Sequence, residues 1–303
     1  MTPPSKTMSS TLLSAATAVY GRFMAIAPPR EEYLLHRLTV VANTDVAPRV
    51  RRITLAAESL RSFVPVGPDE YFALILPRPG VALALPAPEV LQVARAVRDF
   101  PAAIRPDVRY YTVRRHRPER GEIDVDVVTH GDAGPGSAWA LRARPGDEVG
   151  LKEGSAGYRR PDGGLQLLAA DETALPALAH IAEEAAGTPD AARIRSFVEV
   201  DSMDSVADRP ESIDVTWVVR GAARPGDLLA NAIAEALPMG AGSGTEGAAA
   251  AGEAADASDF TSAWVCGEGG GVARIRKLLL TRTALTRRSV FAKGYWQAGR
   301  PTA

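Results

Sequence analysis

The strongest constraint on this chain is a change of rhythm at its middle. Between residues 38 and 151, six short apolar or β-branched runs (38–41, 53–55, 71–76, 108–113, 123–128 and 149–151) are separated by turn signals such as Gly67-Pro68-Asp69, Arg120-Gly121 and Pro145-Gly146-Asp147. Runs of that length and spacing predict an antiparallel barrel or sandwich. The stretch 154–164 then carries four glycines, and beyond it strand and helix alternate. Residues 165–170 are continuously apolar, as a strand buried on both faces should be. Leu175, Leu178, Ala179 and Ala182 form a helical stripe that Gly187 ends, with Thr173 placed to cap it and Pro176 tolerated in the first turn. Further strands are expected at 194–200, 213–219 and 262–266. Such alternation predicts a parallel sheet, which gathers ligands at the carboxyl ends of its strands.

At 303 residues the chain has room for two domains of about 150 residues, read here as 37–160 and 161–303. Residues 1–36 read as an N-terminal extension, and the Gly/Ala/Ser-rich stretch 240–258 as a flexible insertion. The 35 basic and 36 acidic residues cancel to a net charge of -1, which makes nucleic acid or an anionic membrane an unexpected partner. A lone cysteine, Cys266, cannot form an internal bridge, and four scattered histidines have no metal-ligand spacing. A cytoplasmic protein without a metal site of its own follows. No run approaches the ~18 apolar residues of a membrane span. An apolar stretch near the N-terminus loosely mimics a signal peptide, but Arg22 interrupts it, so export is not expected.

Two segments concentrate the chemistry. In Arg109-Tyr110-Tyr111-Thr112-Val113-Arg114, a strand would put Arg109 and Tyr111 on one face and Thr112 and Arg114 on the other. An aromatic ring beside a guanidinium suits a ligand with a flat ring and an anionic tail. The second segment, 129–140, supplies His130, the glycines 131, 134 and 136, and Ser137 as the expected cap of a short helix. A helix N-terminus after a glycine-rich turn favours pyrophosphate. Arg114 reads equally as a phosphate contact or an exposed strand charge, and Trp139 as core.

This pair of motifs resembles the siderophore-interacting protein family, a branch of the ferredoxin-reductase-like flavoproteins. The family carries an Arg-x-Tyr-Thr-x-Arg strand and a His-Gly-x-x-Gly-Pro-x-x-x-Trp-Ala turn, matched at 109–114 and 130–140. Ala170-Asp171-Glu172-Thr173-Ala174-Leu175-Pro176, Phe197-Val198-Glu199-Val200, Trp264-Val265-Cys266-Gly267-Glu268 and Lys293-Gly294-Tyr295-Trp296 match in the same order, over residues 37–300. The resemblance implies a six-stranded antiparallel FAD-binding barrel followed by a parallel-sheet α/β domain that binds NADH or NADPH. It assigns Arg109 to the FAD pyrophosphate, Tyr111 to the isoalloxazine and Thr112 to its reactive nitrogen. His130 and Gly131 would line the flavin, while Gly134, Gly136 and Ser137 would hold phosphates.

In the second domain Asp171 and Thr173 stand where the first strand meets its helix, a nucleotide-contact position. Asp171 and Glu172 read equally as caps. Cys266 and Gly267 would lie against the nicotinamide, with Glu268 near the path of hydride. Glu199 and Asp201 favour NADH, and Arg220 favours NADPH. The family's substrate is a ferric siderophore, an anionic chelate. Its pattern carries a lysine where Ala73 stands, so Lys293, Arg300 or Arg78 would supply the missing charge. The resemblance thus implies a monomeric NAD(P)H-consuming, FAD-dependent reductase of ferric siderophores. A flavin reductase with another acceptor (a quinone, free flavin or redox protein) and a non-catalytic flavin- or siderophore-binding module are the competing functions.

Overall fold

The computed structural model of the protein describes residues 30–131, 134–160, 163–237 and 260–299. The extension through residue 29, the insertion 240–258 and Arg300 lie outside the described residues. The first sheet contains seven antiparallel strands: β1 (Leu35–Ala47), β2 (Val50–Ala56), β3 (Tyr71–Leu76), β4 (Asp107–Thr112), β5 (Arg115–Arg117), β6 (Glu122–Val128) and β7 (Glu148–Ser155). Their order is β4-β3-β7-β1-β2-β6-β5. Just past β4, the Arg114 N–H donates to Asp124 O of β6 at 2.9 Å, so opposite ends of the sheet approach each other. They enclose a core that includes Leu38, Ile53, Leu55, Phe72, Leu74 and Leu151.

The expected count of six strands is corrected to seven. The missed strand, Arg115-His116-Arg117, contains no aliphatic residue, and cross-strand charge holds it instead. Arg117 pairs with Asp124 at 2.6 Å and with Glu122 at 3.0 Å. A short helix, α1 (Pro135–Arg142), packs on the barrel. Trp139 is buried in the barrel core as expected, and Asn43 on β1 donates to Ala140 O and Ala143 O, both at 2.8 Å, near the end of α1.

The second sheet is parallel, in the order β10-β9-β8-β11-β12: β8 (Leu165–Asp171), β9 (Ile194–Val200), β10 (Asp214–Val219), β11 (Phe260–Glu268) and β12 (Val290–Trp296). Along β8, Leu168 and Ala170 pack toward α2 (Leu175–Ala185), while Leu167 and Ala169 pack toward α3 (Asp227–Ala236) and α4 (Gly269–Arg282). Thr173 does not cap α2. The residue before the helix is Ala174 and makes no side-chain cap, because the Thr173 hydroxyl is spent on Asp171 at 2.6 Å. A missing cap costs about 1 kcal/mol. Burying Leu178 and Ile181 of α2 contributes about 2 kcal/mol each, so packing decides the helix.

One carboxylate joins the two sheets. Asp69, 1% exposed, lies two residues before β3. It accepts hydrogen bonds from the backbone N–H of Gly157 at 3.0 Å, that of Tyr158 at 2.9 Å and the Trp264 indole of β11 at 2.8 Å. Burial pushes its pKa up, and these three donors oppose the shift. Asp69→Ala leaves those donors buried and unpaired, at about 1–3 kcal/mol each. We expect urea denaturation to show a loss of about 3 kcal/mol or more, and about 1 kcal/mol for Trp264→Phe. A loss below about 1 kcal/mol for Asp69→Ala would show that the joint does not depend on this group.

Candidate active site

The barrel contributes an anion cradle. On β4, Arg109 and Tyr111 register with Leu74 and Phe72 of β3, whereas Tyr110 and Thr112 register with Ala73 and Tyr71 on the opposite face. The first turn of α1 lies directly on the Arg109–Tyr111 pair. A methyl group on Gly136 would collide with the Tyr111 hydroxyl and touch Arg109 Cγ at 3.4 Å. Pro135 starts the helix, a position that needs no N–H. The Ala138 N–H reaches Gly134 O at 2.9 Å, which leaves the N–H groups of Gly136 and Ser137 without an intrahelical acceptor.

Arg109 Nη1 donates to Val108 O at 2.7 Å, and the other guanidinium nitrogens have no partner among the described residues. A guanidinium beside free helix N–H groups is a donor set for pyrophosphate. Burial pushes the Tyr111 hydroxyl up to about 12, so the ring stays neutral there. Ser137 is not the expected helix cap, because Pro135 starts the helix two residues earlier. Its hydroxyl accepts from His130 N–H at 3.1 Å and donates to Gly131 O, closing the 130–137 turn. His130 is exposed at the rim.

Arg114 is neither an exposed charge nor a member of the Arg109 cradle. Its side chain is 1% exposed and reaches across the seam to Glu183 of α2 and Asp208, each at 2.6 Å. Arg52 pairs with the same Asp208 at 2.6 Å. Burial pushes both carboxyls up, but Arg114 at Glu183, and Arg52 with Arg114 at Asp208, outweigh it and hold them below the usual range.

The parallel sheet supplies the other half. Its connections reverse direction between β8 and β11, which opens a crevice at their carboxyl ends. Asp171 fills the head of that crevice and accepts four donors: Thr173 N–H at 2.9 Å, the Thr173 hydroxyl, Glu268 N–H at 2.8 Å and the Trp296 indole at 2.7 Å. Gly267 allows this approach, since its φ of 146° lies in the glycine region and a Cβ would strike the Asp171 carboxyl. Glu268 caps α4 through Gly271 N–H at 2.7 Å and also accepts from Ala298 N–H at 3.2 Å. Glu199 is fully buried and accepts from Gly226 N–H at 2.8 Å and Leu229 N–H at 3.3 Å, so it caps α3 and is removed from the ribose-reading acids.

The halves meet at the seam. Lys293 of β12 stands 2.9 Å over the Tyr71 ring, and Tyr71 makes an edge contact with exposed Tyr110 at 6.3 Å. Burial brings the Lys293 amine down to about 8, so the residue expected to supply charge to a chelate is held against Tyr71 at the interface. The Tyr295 hydroxyl is within reach of both Thr112 and Cys266. Burial pushes the Cys266 thiol well above its ordinary value, leaving a small buried marker instead of a nucleophile. Ala73, where the family pattern carries a lysine, is 5% exposed in a cluster with Ile75, Leu83 and Val93. That position faces packed side chains, so the absent charge bears little on an incoming ligand.

Two family models tile the chain: a siderophore-interacting FAD-binding domain over residues 39–157 and a siderophore-interacting protein model over 164–299. The ferric vibriobactin reductase ViuB of Vibrio cholerae is 30% identical over 274 residues, covering 87% of this chain and 89% of that one. This chain belongs to the siderophore-interacting protein family. A siderophore utilization protein from T. fusca, solved by crystallography, superposes with a TM-score of 0.68 at 28% identity, covering 90% of this chain and 96% of that one. The NADPH-dependent ferric-chelate reductase of Escherichia coli is 30% identical over 150 residues, 49% of this chain and 56% of that one.

The residues of this siderophore-interacting protein fit the flavin dinucleotide that its first family model names. Arg109 and the α1 N–H groups form a donor set of the kind a pyrophosphate needs, and Gly136 lets the helix close against Tyr111. Sequence reasoning did not assign Asp69, Tyr71, Trp264 or the Trp296–Asp171 bond. The Lys293-Gly294-Tyr295-Trp296 motif signalled the last of these without revealing its partner.

Gly136→Ala forces the Tyr111 hydroxyl aside, and we expect about 1–3 kcal/mol of destabilisation in thermal or urea melts. Adding Tyr111→Phe removes the colliding oxygen and should restore most of the loss; no restoration would contradict this contact. Burial, reinforced by Glu172, pushes the Asp171 carboxyl up to about 6. The folded state therefore holds this proton more tightly than the unfolded state, and Asp171's contribution to stability falls as pH rises from about 4 to about 6. The Trp296 indole proton should titrate in NMR spectra with a midpoint near pH 6, and Asp171→Asn should abolish that titration.

Proposed function

We propose that this protein is a FAD-dependent reductase that passes electrons from NADH or NADPH to the iron of ferric siderophores. The observation that carries this reading is the seam. There the Thr112 face of β4 meets Tyr295, Cys266 and Lys293 from the parallel sheet, while the opposite face of the same strand carries the anion cradle built by Arg109 and α1. Bound there, FAD supplies the acceptance of a hydride and its release as single electrons.

The chain's own residues supply position and electrostatics. Residues 37–160 form the flavin half. Within it, Arg109 and the N–H groups of Gly136 and Ser137 bind the pyrophosphate. Thr112 and Tyr111 orient the ring, and His130, Gly131 and Gly134 border it. Residues 161–303 form the nicotinamide half. Asp171 orders Thr173, Gly267 and Glu268 at the crevice, and Cys266 presents a small apolar wall. Arg114 serves that alignment by clasping the halves together instead of touching phosphate. Lys293, with Arg300, offers positive charge to an anionic ferric chelate. Reduced iron is held less tightly by oxygen donors than ferric iron, so reduction releases it.

No helix among the described residues is long and apolar enough to cross a membrane. We place the protein in the cytoplasm as a monomer, acting on chelates already imported.

Purified protein should be yellow, and NADH or NADPH should bleach it under anaerobic conditions. Ferric siderophore should then restore the colour, with a ferrous-specific chelator trapping the iron released. Failure of both nucleotides to bleach the flavin would overturn an enzymatic role. Rapid reoxidation by a neutral quinone with none by ferric siderophores would overturn the substrate.

A further inference from the structure

The carboxyl edge of the parallel sheet holds a charge network that the electron path does not use. Arg220 follows β10, and its side chain is 10% exposed. One guanidinium nitrogen lies 2.9 Å from Glu172 Oε1 and 3.3 Å from Asp201 Oδ1. The other lies 3.2 Å from Glu172 Oε2 and 3.6 Å from Glu199 Oε1. Asp201 also pairs with Arg49 from the barrel. Two guanidiniums thus face three carboxylates, and the cluster carries one excess negative charge.

Its location gives that charge a meaning. Glu172, Asp201 and Arg220 follow directly on β8, β9 and β10, on the side of the switch point where a dinucleotide lays its adenosine ribose. An interdomain cavity lies beside Glu172, lined by Val50, Leu175, Pro176 and Ala207 and by the charged Arg114 and Asp208. We propose that this edge selects NADH over NADPH, with Asp201 accepting from the ribose hydroxyl while Glu172 and Glu199 keep Arg220 from a 2′-phosphate. The inference rests on the nicotinamide-dependent function proposed above and adds to it which nicotinamide is used.

An arginine at the end of a third strand would by itself argue for NADPH. Its partners reverse the sign. A 2′-phosphate could reach Arg220 only by displacing the two-point contact of Glu172, or by standing against Asp201, and like charges brought together at a binding site oppose association. A ribose hydroxyl meets no such barrier, since it is a donor and the 35% exposed Asp201 side chain is an acceptor.

The test is calorimetric titration of the flavin-loaded protein with NAD+ and with NADP+, which reads binding without turnover. We expect NAD+ to bind about tenfold tighter or more. The double variant Glu172→Gln, Asp201→Asn frees Arg220 and should tighten NADP+ by about tenfold. Asp201→Asn alone, at the more exposed position, should move the ratio the same way if the double variant does not fold. NADP+ binding as tightly as NAD+ to the parent protein, or an unchanged ratio in the variants, overturns the proposal. Binding of neither nucleotide, with no bleaching of the flavin, overturns the reductase function and this preference together.

Discussion

Everything proposed for this protein depends on how two separately folded sheets are held against each other, and the decisive contact is a buried carboxylate. Asp69 precedes the first long barrel strand after the β2 turn region, yet it serves the other half of the molecule. It fixes the start of the connection at Gly157 and Tyr158 and anchors β11 of the parallel sheet through Trp264. A buried acid costs free energy unless its oxygens are matched, and here three donors match them. Gly157 and Tyr158 lie at the barrel's end of the connection and Trp264 in the parallel sheet, so the carboxylate is fully matched only when the two halves are in contact. That contact puts Lys293 over Tyr71 and Tyr295 beside Thr112.

A second rule runs through the site: the acids that look catalytic are used for construction. Asp171 gathers the ends of β8, β11 and β12, Glu268 caps α4 and Glu199 caps α3. Placing carboxylates on orphan backbone N–H groups is favourable at helix N-termini. The barrel side contributes the free positive groups, Arg109 and the first turn of α1. Along the seam, barrel arginines 49, 52 and 114 face acids of the second half. The arginine-rich composition of the chain thereby acquires a structural use apart from ligand binding.

Much of this was legible in order along the chain. Strands with an apolar face announced themselves, and 71–76 and 194–200 coincide with β3 and β9. Strand β5 did not, because its three residues are held by charge across a hairpin. The short helix after the 130–137 turn was visible, but its start was set by Pro135 and not by Ser137. Arg109, Tyr111 and Gly136 were singled out because strand alternation puts the first two on one face and a turn carries the third, and the structure brings the three into contact. Arg114 was misread because the strand's alternation says only which side a residue faces, and what lies on that side belongs to another domain.

The sequence by itself determined the architecture: an antiparallel half, a glycine-rich joint and an alternating half, because hydrophobic periodicity is local and each period permits one kind of element. It also determined the family, through motifs whose spacing survives in one dimension. Only the tertiary structure decided which charges are free. Asp69, Asp171, Arg114, Glu199 and Arg220 differ little from other charged residues as letters. Their roles follow from partners roughly 20 to 200 positions away, brought within hydrogen-bond distance by the packing of two sheets. Electrostatic function is a property of pairs, and the pairs exist only once the chain is folded.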